Sequence, residues 1–324
     1  MDLFAEFLAL VPTASPAEFA AVPTSERRCD FLAKSADGAP VFLISDSSAA
    51  TYTPGVSLKH LSVQYHATCR ILSPTGCIEG QFALIMCHPA EPELYELFVR
   101  CVGAAVQQLP DVARTHEIEA CVRSLLSLFR AMSAPGGREL AGLWAELFVI
   151  TLAADAASAV RAWHSDAFER FDFSWPDVVL EVKATQDPLR VHEFSLEQLS
   201  PPLSGRGVVA SLLVQPLTNG LGVMDLANRI DARLHGENNL RQRLWSNIAT
   251  ALGNEFGQKL DRRFDVSFAE RQVAVFEMED IPAPCLTQDP RVSSVRFRSD
   301  LTGVVSSLPG PPLNVLREMF ENRL

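Results

Sequence analysis

The stretch Phe171-Asp-Phe-Ser-Trp-Pro-Asp-Val-Val-Leu-Glu-Val-Lys-Ala-Thr185 concentrates residues whose types and spacing can do chemistry. Pro176-Asp177 is a turn dipeptide between apolar, β-prone residues, so the stretch reads as a hairpin. With the turn there, position 175 pairs with 178 and 172 with 181. Alternation then puts Phe171, Phe173, Val178, Leu180 and Val182 on one face, and Asp172, Glu181 and Lys183 on the other, with Val179 the apolar exception. Opposed Cβ atoms on paired strands lie about 4.5 to 5.5 Å apart. Two carboxylates that close repel each other, and Lys183 offsets only one charge. A divalent cation would offset the rest. Oxygen ligands, with no His or Cys in the stretch, favour magnesium, with manganese as the alternative, over zinc. A carboxylate-held metal beside a lysine suits phosphodiester hydrolysis. The metal polarises the phosphate and acidifies a water, while the lysine positions that water or steadies developing charge. The bland alternative is a solvated strand face that happens to read Asp, Glu, Lys. Lysine usage weighs against it: four lysines stand against 24 arginines in the chain.

The elements around this hairpin must position it. In the helix expected over about 138 to 153, Glu146 sits among Leu143, Trp144, Leu147 and Phe148. A carboxylate with so much apolar surface needs a partner, and the metal is the obvious one, unless Glu146 lies on the rim of an amphipathic helix. Gln198 follows on a short helix begun near the N-cap residue Ser195, where its amide could touch phosphate or base. His192 reads as a hydrogen-bonded structural residue. Residues 229 to 271 carry eight basic against six acidic residues, a local excess of +2 in a chain of −11. Arg241, Arg243, Arg262 and Arg263 are the phosphate contacts this segment offers.

A chain of 324 residues, 48% hydrophobic and 21% charged, is globular and long enough for two domains. Residues 1–110 read as a β-rich accessory domain with strands at Val41–Ile44, Leu61–Tyr65 and Gly80–Cys87. A helix follows, with Leu94, Leu97, Phe98, Cys101, Val102 and Ala105 on one face. Residues 111–135 read as a helical connector ending at the breaker run Ser133–Gly137, and 136–324 as a second domain with strands near 207–215, 221–224, 272–278 and 292–297. Eleven acidic and six basic residues over 1–110 make the first domain no DNA grip. The seven cysteines are odd in number and contain no Cys-x-x-Cys, which favours reduced thiols over a disulfide framework or zinc module. No apolar run approaches a membrane span, and Asp2 and Glu6 stand where a leader would place basic residues, so the expected location is the cytoplasm. Gly-x-Ser-x-Gly, Walker A, Gly-x-Gly-x-x-Gly and His-Glu-x-x-His are all missing from the sequence.

Asp172 followed by Glu181-Val-Lys183 resembles the PD-(D/E)XK nuclease superfamily, and Glu146 matches the glutamate such proteins often take from the preceding helix. The literal Pro176-Asp177 leaves only three residues before Glu181 and sits on the turn tip, so Asp172 is the better match. Gly142-Leu-Trp-Ala-Glu-Leu147, Ala162-Trp163, Glu181-Val-Lys-Ala-Thr185, Leu196-Glu-Gln-Leu199 and Ile281-Pro282 extend the resemblance to a bacterial PD-(D/E)XK family found among restriction and phage-defence genes. It implies an α/β (α+β), restriction-endonuclease-like mixed sheet flanked by helices. It also implies Mg2+-dependent DNA endonuclease activity at Asp172, Glu181, Lys183 and Glu146, and protein partners such as an ATPase or a methyltransferase. The alternative is a non-catalytic DNA-binding or assembly subunit of such a system.

Overall fold

The computed structural model describes residues 2–13, 18–73, 76–133, 139–164, 169–201, 205–285 and 294–321. Apart from Ser133, the breaker run at 133–137 lies outside them. The chain divides into two compact units, Met1–Gly136 with Trp245–Gly257, and Gly137–Leu244 with Gln258–Leu324.

The first unit holds α1 (Leu3–Ala9), β1 (Glu18–Pro23), β2 (Phe31–Lys34), β3 (Pro40–Ser45), β4 (Val56–Ser57), β5 (Leu61–Ser73), β6 (Gly76–Cys87), α2 (Tyr95–Val106) and α3 (Thr115–Ala131). The strands run in the order β1-β2-β3-β6-β5-β4, and a parallel β1–β5 pairing closes five of them on themselves. Closure leaves those five without an edge. Strand alternation sorts the side chains. Val41 and Leu43 of β3 join Phe19, Phe31, Ile71 and Phe82 in one cluster, while Phe42 points the other way, toward Phe98 of α2. β1 and β2 went unread in the sequence because each is short and carries no alternating pattern.

The second unit holds α4 (Leu140–Leu152), α5 (Ala156–Ala162), β7 (Phe173–Ser174), β8 (Val178–Thr185), β9 (Val191–Ser195), β10 (Arg206–Leu213), β11 (Pro216–Gly222), α6 (Val223–Asp231), the start of α7 (Asn238–Leu252), most of α8 (Phe256–Leu260), β12 (Arg263–Phe264), α9 (Val266–Gln272), β13 (Ala274–Glu277), β14 (Arg296–Asp300) and α10 (Pro312–Glu321). A mixed sheet runs β13-β10-β8-β7, with β8 and β10 parallel and the outer strands antiparallel. α4 packs on β8 and α6, and β9 pairs with β14 in a ribbon that joins the cluster of Val179, Phe194, Val209, Phe276 and Leu301. This is the mixed sheet with flanking helices that the sequence implies. Two local expectations fail. The strand expected at 221–224 ends at Gly222, where α6 begins. Phe171 precedes the β7 ladder and packs with Val179 instead of sharing the Leu180 face. The face carrying Glu181 is therefore no solvated surface.

Candidate active site

Phe173 pairs with Leu180 and Ser174 with Val179, the register that sets Asp172 opposite Glu181. Trp175 N–H donates to the Val178 carbonyl at 2.9 Å and closes the turn, leaving Pro176 and Asp177 exposed at its tip. Just before β7 the backbone bends, and Asp172 Oδ2 accepts the Val182 N–H at 2.7 Å. Glu181, on a central strand between β7 and β10, is 2% exposed. Lys183 Nζ lies 2.8 Å from Glu181 Oε1 and 5.3 Å from the Phe194 ring centre. Gln198 sits in a 3-10 turn, Glu197–Leu199, whose entry is capped by the Ser195 hydroxyl accepting the Gln198 N–H at 3.2 Å. Its amide nitrogen donates to Glu181 Oε1 at 2.5 Å, and its oxygen accepts from Lys183 Nζ at 3.4 Å. Glu146, Asp172, Glu181, Lys183 and Gln198 line one open cleft of about 660 Å³.

A family model described as "Putative PD-(D/E)XK family member, (DUF4420)" matches residues 11–302. The chain belongs to this PD-(D/E)XK family. Membership points to a nuclease. No curated protein and no solved structure matches the chain.

In this PD-(D/E)XK member, Glu146 on α4 is buried at 5% exposure, and protein donors reach its carboxylate. The indole N–H of Trp163 donates to Glu146 Oε2 at 2.7 Å, and His164 Nε2 lies 3.3 Å from the same oxygen. His164 Nε2 is also 3.8 Å from Asp172 Oδ1. Trp163 forms a β-bridge with Phe173, and the His164 N–H donates to the Asp172 carbonyl at 2.9 Å, so the segment after α5 is stitched to the hairpin. Sequence reasoning missed His164 because only this bridge brings it to Asp172. The metal preference drawn from a stretch without His or Cys must therefore account for an imidazole.

The carboxylates strain against one another electrostatically. Burial pushes Asp172 well above the ordinary carboxylate range, with the charges of Glu181 and Glu146 adding to it. Burial also raises Glu181, against the opposing pull of Lys183. Glu181 Oε2 is buried with no hydrogen-bond partner. Glu146, His164 and Asp172 each offer a ligand atom, all within 4.8 Å of one another. An orphaned carboxylate oxygen beside this donor set fits a divalent cation. His192 is a structural residue as expected: its Nε2 lies 2.8 Å from Ser211 Oγ. Burial, with Lys183 and Arg190 nearby, pushes it down to about 4.

The four arginines read as phosphate contacts are not brought to the cleft. Arg241 grips Asp231 with Nε and Nη2 at 2.9 and 2.8 Å. Arg243 donates to the Trp163 carbonyl, and Arg263 to Asp225 Oδ2 at 2.7 Å and the Gly220 carbonyl at 3.1 Å. Arg262 is exposed in a separate depression with Thr218 and Asp261. Arg298 of β14 lines the cleft instead, and Arg170 and Arg296 line an adjoining depression that shares Lys183 and Gln198. Local charge counting over 229–271 passed over these three because Arg170 lies before that segment and the pair Arg296 and Arg298 after it.

Proposed function

We propose that this PD-(D/E)XK member is a metal-dependent deoxyribonuclease that hydrolyses DNA phosphodiesters in a bacterial restriction or phage-defence system. The observation that carries the reading is the convergence of Glu146, Asp172, Glu181 and Lys183 on one cleft, with Glu181 Oε2 lacking any partner. Asp172, Glu181 and Glu146 would hold Mg2+ or Mn2+, which when bound polarises the scissile phosphate and acidifies a water. Val182 N–H fixes Asp172 by one oxygen and leaves Oδ1 toward His164. Gln198 and Lys183 both sit on Glu181 Oε1, which leaves Oε2 for a cation. The Lys183 ammonium, steadied between Glu181 and Gln198, orients the attacking water or offsets charge on the phosphate.

Arg298 in the cleft, with Arg296 and Arg170 in the adjoining depression, are the proposed backbone contacts. A net charge of −11 argues against strong unaided grip on duplex DNA at physiological salt. A protein partner, such as an ATPase or a methyltransferase, would deliver the DNA, with the acidic segment 1–110 as its dock, in the cytoplasm. No helix among the described residues is long and apolar enough to cross a membrane. Incubating the protein with plasmid DNA, with and without Mg2+ or Mn2+, tests the reading. Metal-dependent nicking that vanishes in Asp172→Asn supports it, and metal-independent or undiminished cleavage by that variant overturns it.

A further inference from the structure

We infer that His164 supplies an imidazole nitrogen to the metal site, so that it takes Mn2+ in preference to Mg2+; this rests on the metal-dependent reading above and deepens it. In an octahedral site with bonds near 2.1 Å, adjacent donors are separated by about 3.0 Å and opposed ones by about 4.2 Å. His164 Nε2 lies 3.3 Å from Glu146 Oε2 and 3.8 Å from Asp172 Oδ1, inside that span. Trp163 already serves Glu146 Oε2, the Asp172 carboxylate is 3.8 Å from the ring, and the Glu181 oxygen beside them has no partner at all. A cation among Glu146, His164 and Asp172, whose ligand atoms lie within 4.8 Å of one another, would take one donor from each.

The backbone supports the placement. His164 is 6% exposed, and its N–H is bonded to the Asp172 carbonyl, so the imidazole is carried by the strand pairing that carries Asp172. The Trp163–Phe173 bridge holds the same backbone one residue earlier. Mg2+ is hard, demands oxygen donors and keeps several waters. Mn2+ accepts carboxylates as Mg2+ does, and as the softer of the two ions it loses less when an imidazole replaces an oxygen donor. A donor set that adds the His164 imidazole to carboxylates therefore separates the two ions by softness rather than size.

The test uses metal-stripped full-length protein and reads binding, not turnover. Mn2+ is titrated by electron paramagnetic resonance, Mg2+ by competition against it, and the Mn2+-loaded protein is examined by electron spin-echo envelope modulation for a directly bonded nitrogen. The wild type is expected to show that nitrogen signal and to bind Mn2+ about tenfold or more tightly than Mg2+. In His164→Ala the signal should vanish and Mn2+ affinity fall about tenfold, with Mg2+ affinity changing less than about threefold. His164→Gln, checked for native thermal unfolding, repeats the measurement if the alanine variant is misfolded, and the wild-type signal requires no variant. No nitrogen signal in the wild type, or equal or absent affinity changes for the two ions, overturns the role of His164. Asp172→Asn separates the two levels. If it abolishes Mn2+ binding while His164→Ala does not, only the histidine inference falls; if it leaves binding intact, the carboxylate site itself falls.

Discussion

Gln198 donates to Glu181 Oε1 at 2.5 Å and accepts from Lys183 Nζ at 3.4 Å, so one amide ties the central carboxylate of the cleft to its lysine. We propose that this link makes Gln198 a positioning residue for Glu181 and Lys183. Gln198→Ala should lower kcat about 10- to 100-fold, the usual cost of losing a group that orients a metal ligand, with KM for DNA little changed. Steady-state kinetics across a metal titration check this. A raised KM with unchanged kcat would assign Gln198 to the substrate instead.

Asp172→Asn should abolish cleavage while keeping the acceptor for the Val182 N–H, and Asp177→Ala, at the exposed turn tip, should be nearly silent. The stability effect has a definite sign. Asp172 has a folded-state pKa above its ordinary 3.8, so the folded state binds the extra proton, and stability falls as pH rises through that window. Removing the charge relieves this. Metal-free Asp172→Asn should melt higher than metal-free wild type at pH 7, and addition of Mn2+ should raise the melting temperature of the wild type alone.

The hairpin was legible because a turn dipeptide and an alternation broken only at Val179 fix a register without any tertiary information, and Asp172, Glu181 and Lys183 followed from it. Glu146 was legible as a lone charge on an apolar helix, yet its Trp163 partner was not, since a β-bridge between distant segments leaves no local pattern. The arginines failed for a related reason. Arg241 and Arg243 stand close in sequence, and one grips Asp231 while the other grips a backbone carbonyl. Arg296 and Arg298 reach these depressions only when β14 pairs with β9, and Arg170 is held there by the Glu197 and Ser200 carbonyls.

Buried His192 stays neutral in the folded protein, with a pKa pushed down to about 4 from 6.5. A depressed histidine contributes stability above its unfolded value that is lost as pH falls through 6.5 toward 4, because unfolding releases it to take up a proton. Between pH 7 and pH 5 the loss should be about 2 kcal/mol. Urea unfolding of wild type and His192→Asn at the two pH values checks it: the variant should show the smaller acid-side loss by that amount.

Arg241→Ala should destabilise the protein by about 2 kcal/mol, since it removes a bidentate guanidinium from the buried Asp231 carboxylate, without changing DNA affinity of the folded fraction. Arg298→Glu should do the opposite, leaving the melting temperature nearly unchanged while weakening DNA binding and flattening its salt dependence. Thermal unfolding and salt-titrated binding on the same samples distinguish a structural arginine from a phosphate contact.

The most direct measurement is cleavage of supercoiled plasmid by wild type and Asp172→Asn purified side by side, in Mn2+, in Mg2+ and in excess EDTA. Nicked or linear DNA is expected from the wild type with metal alone, with none from the chelated sample or the variant. Equal cleavage by both proteins, or cleavage that survives EDTA, would contradict a metal-dependent nuclease built on Asp172.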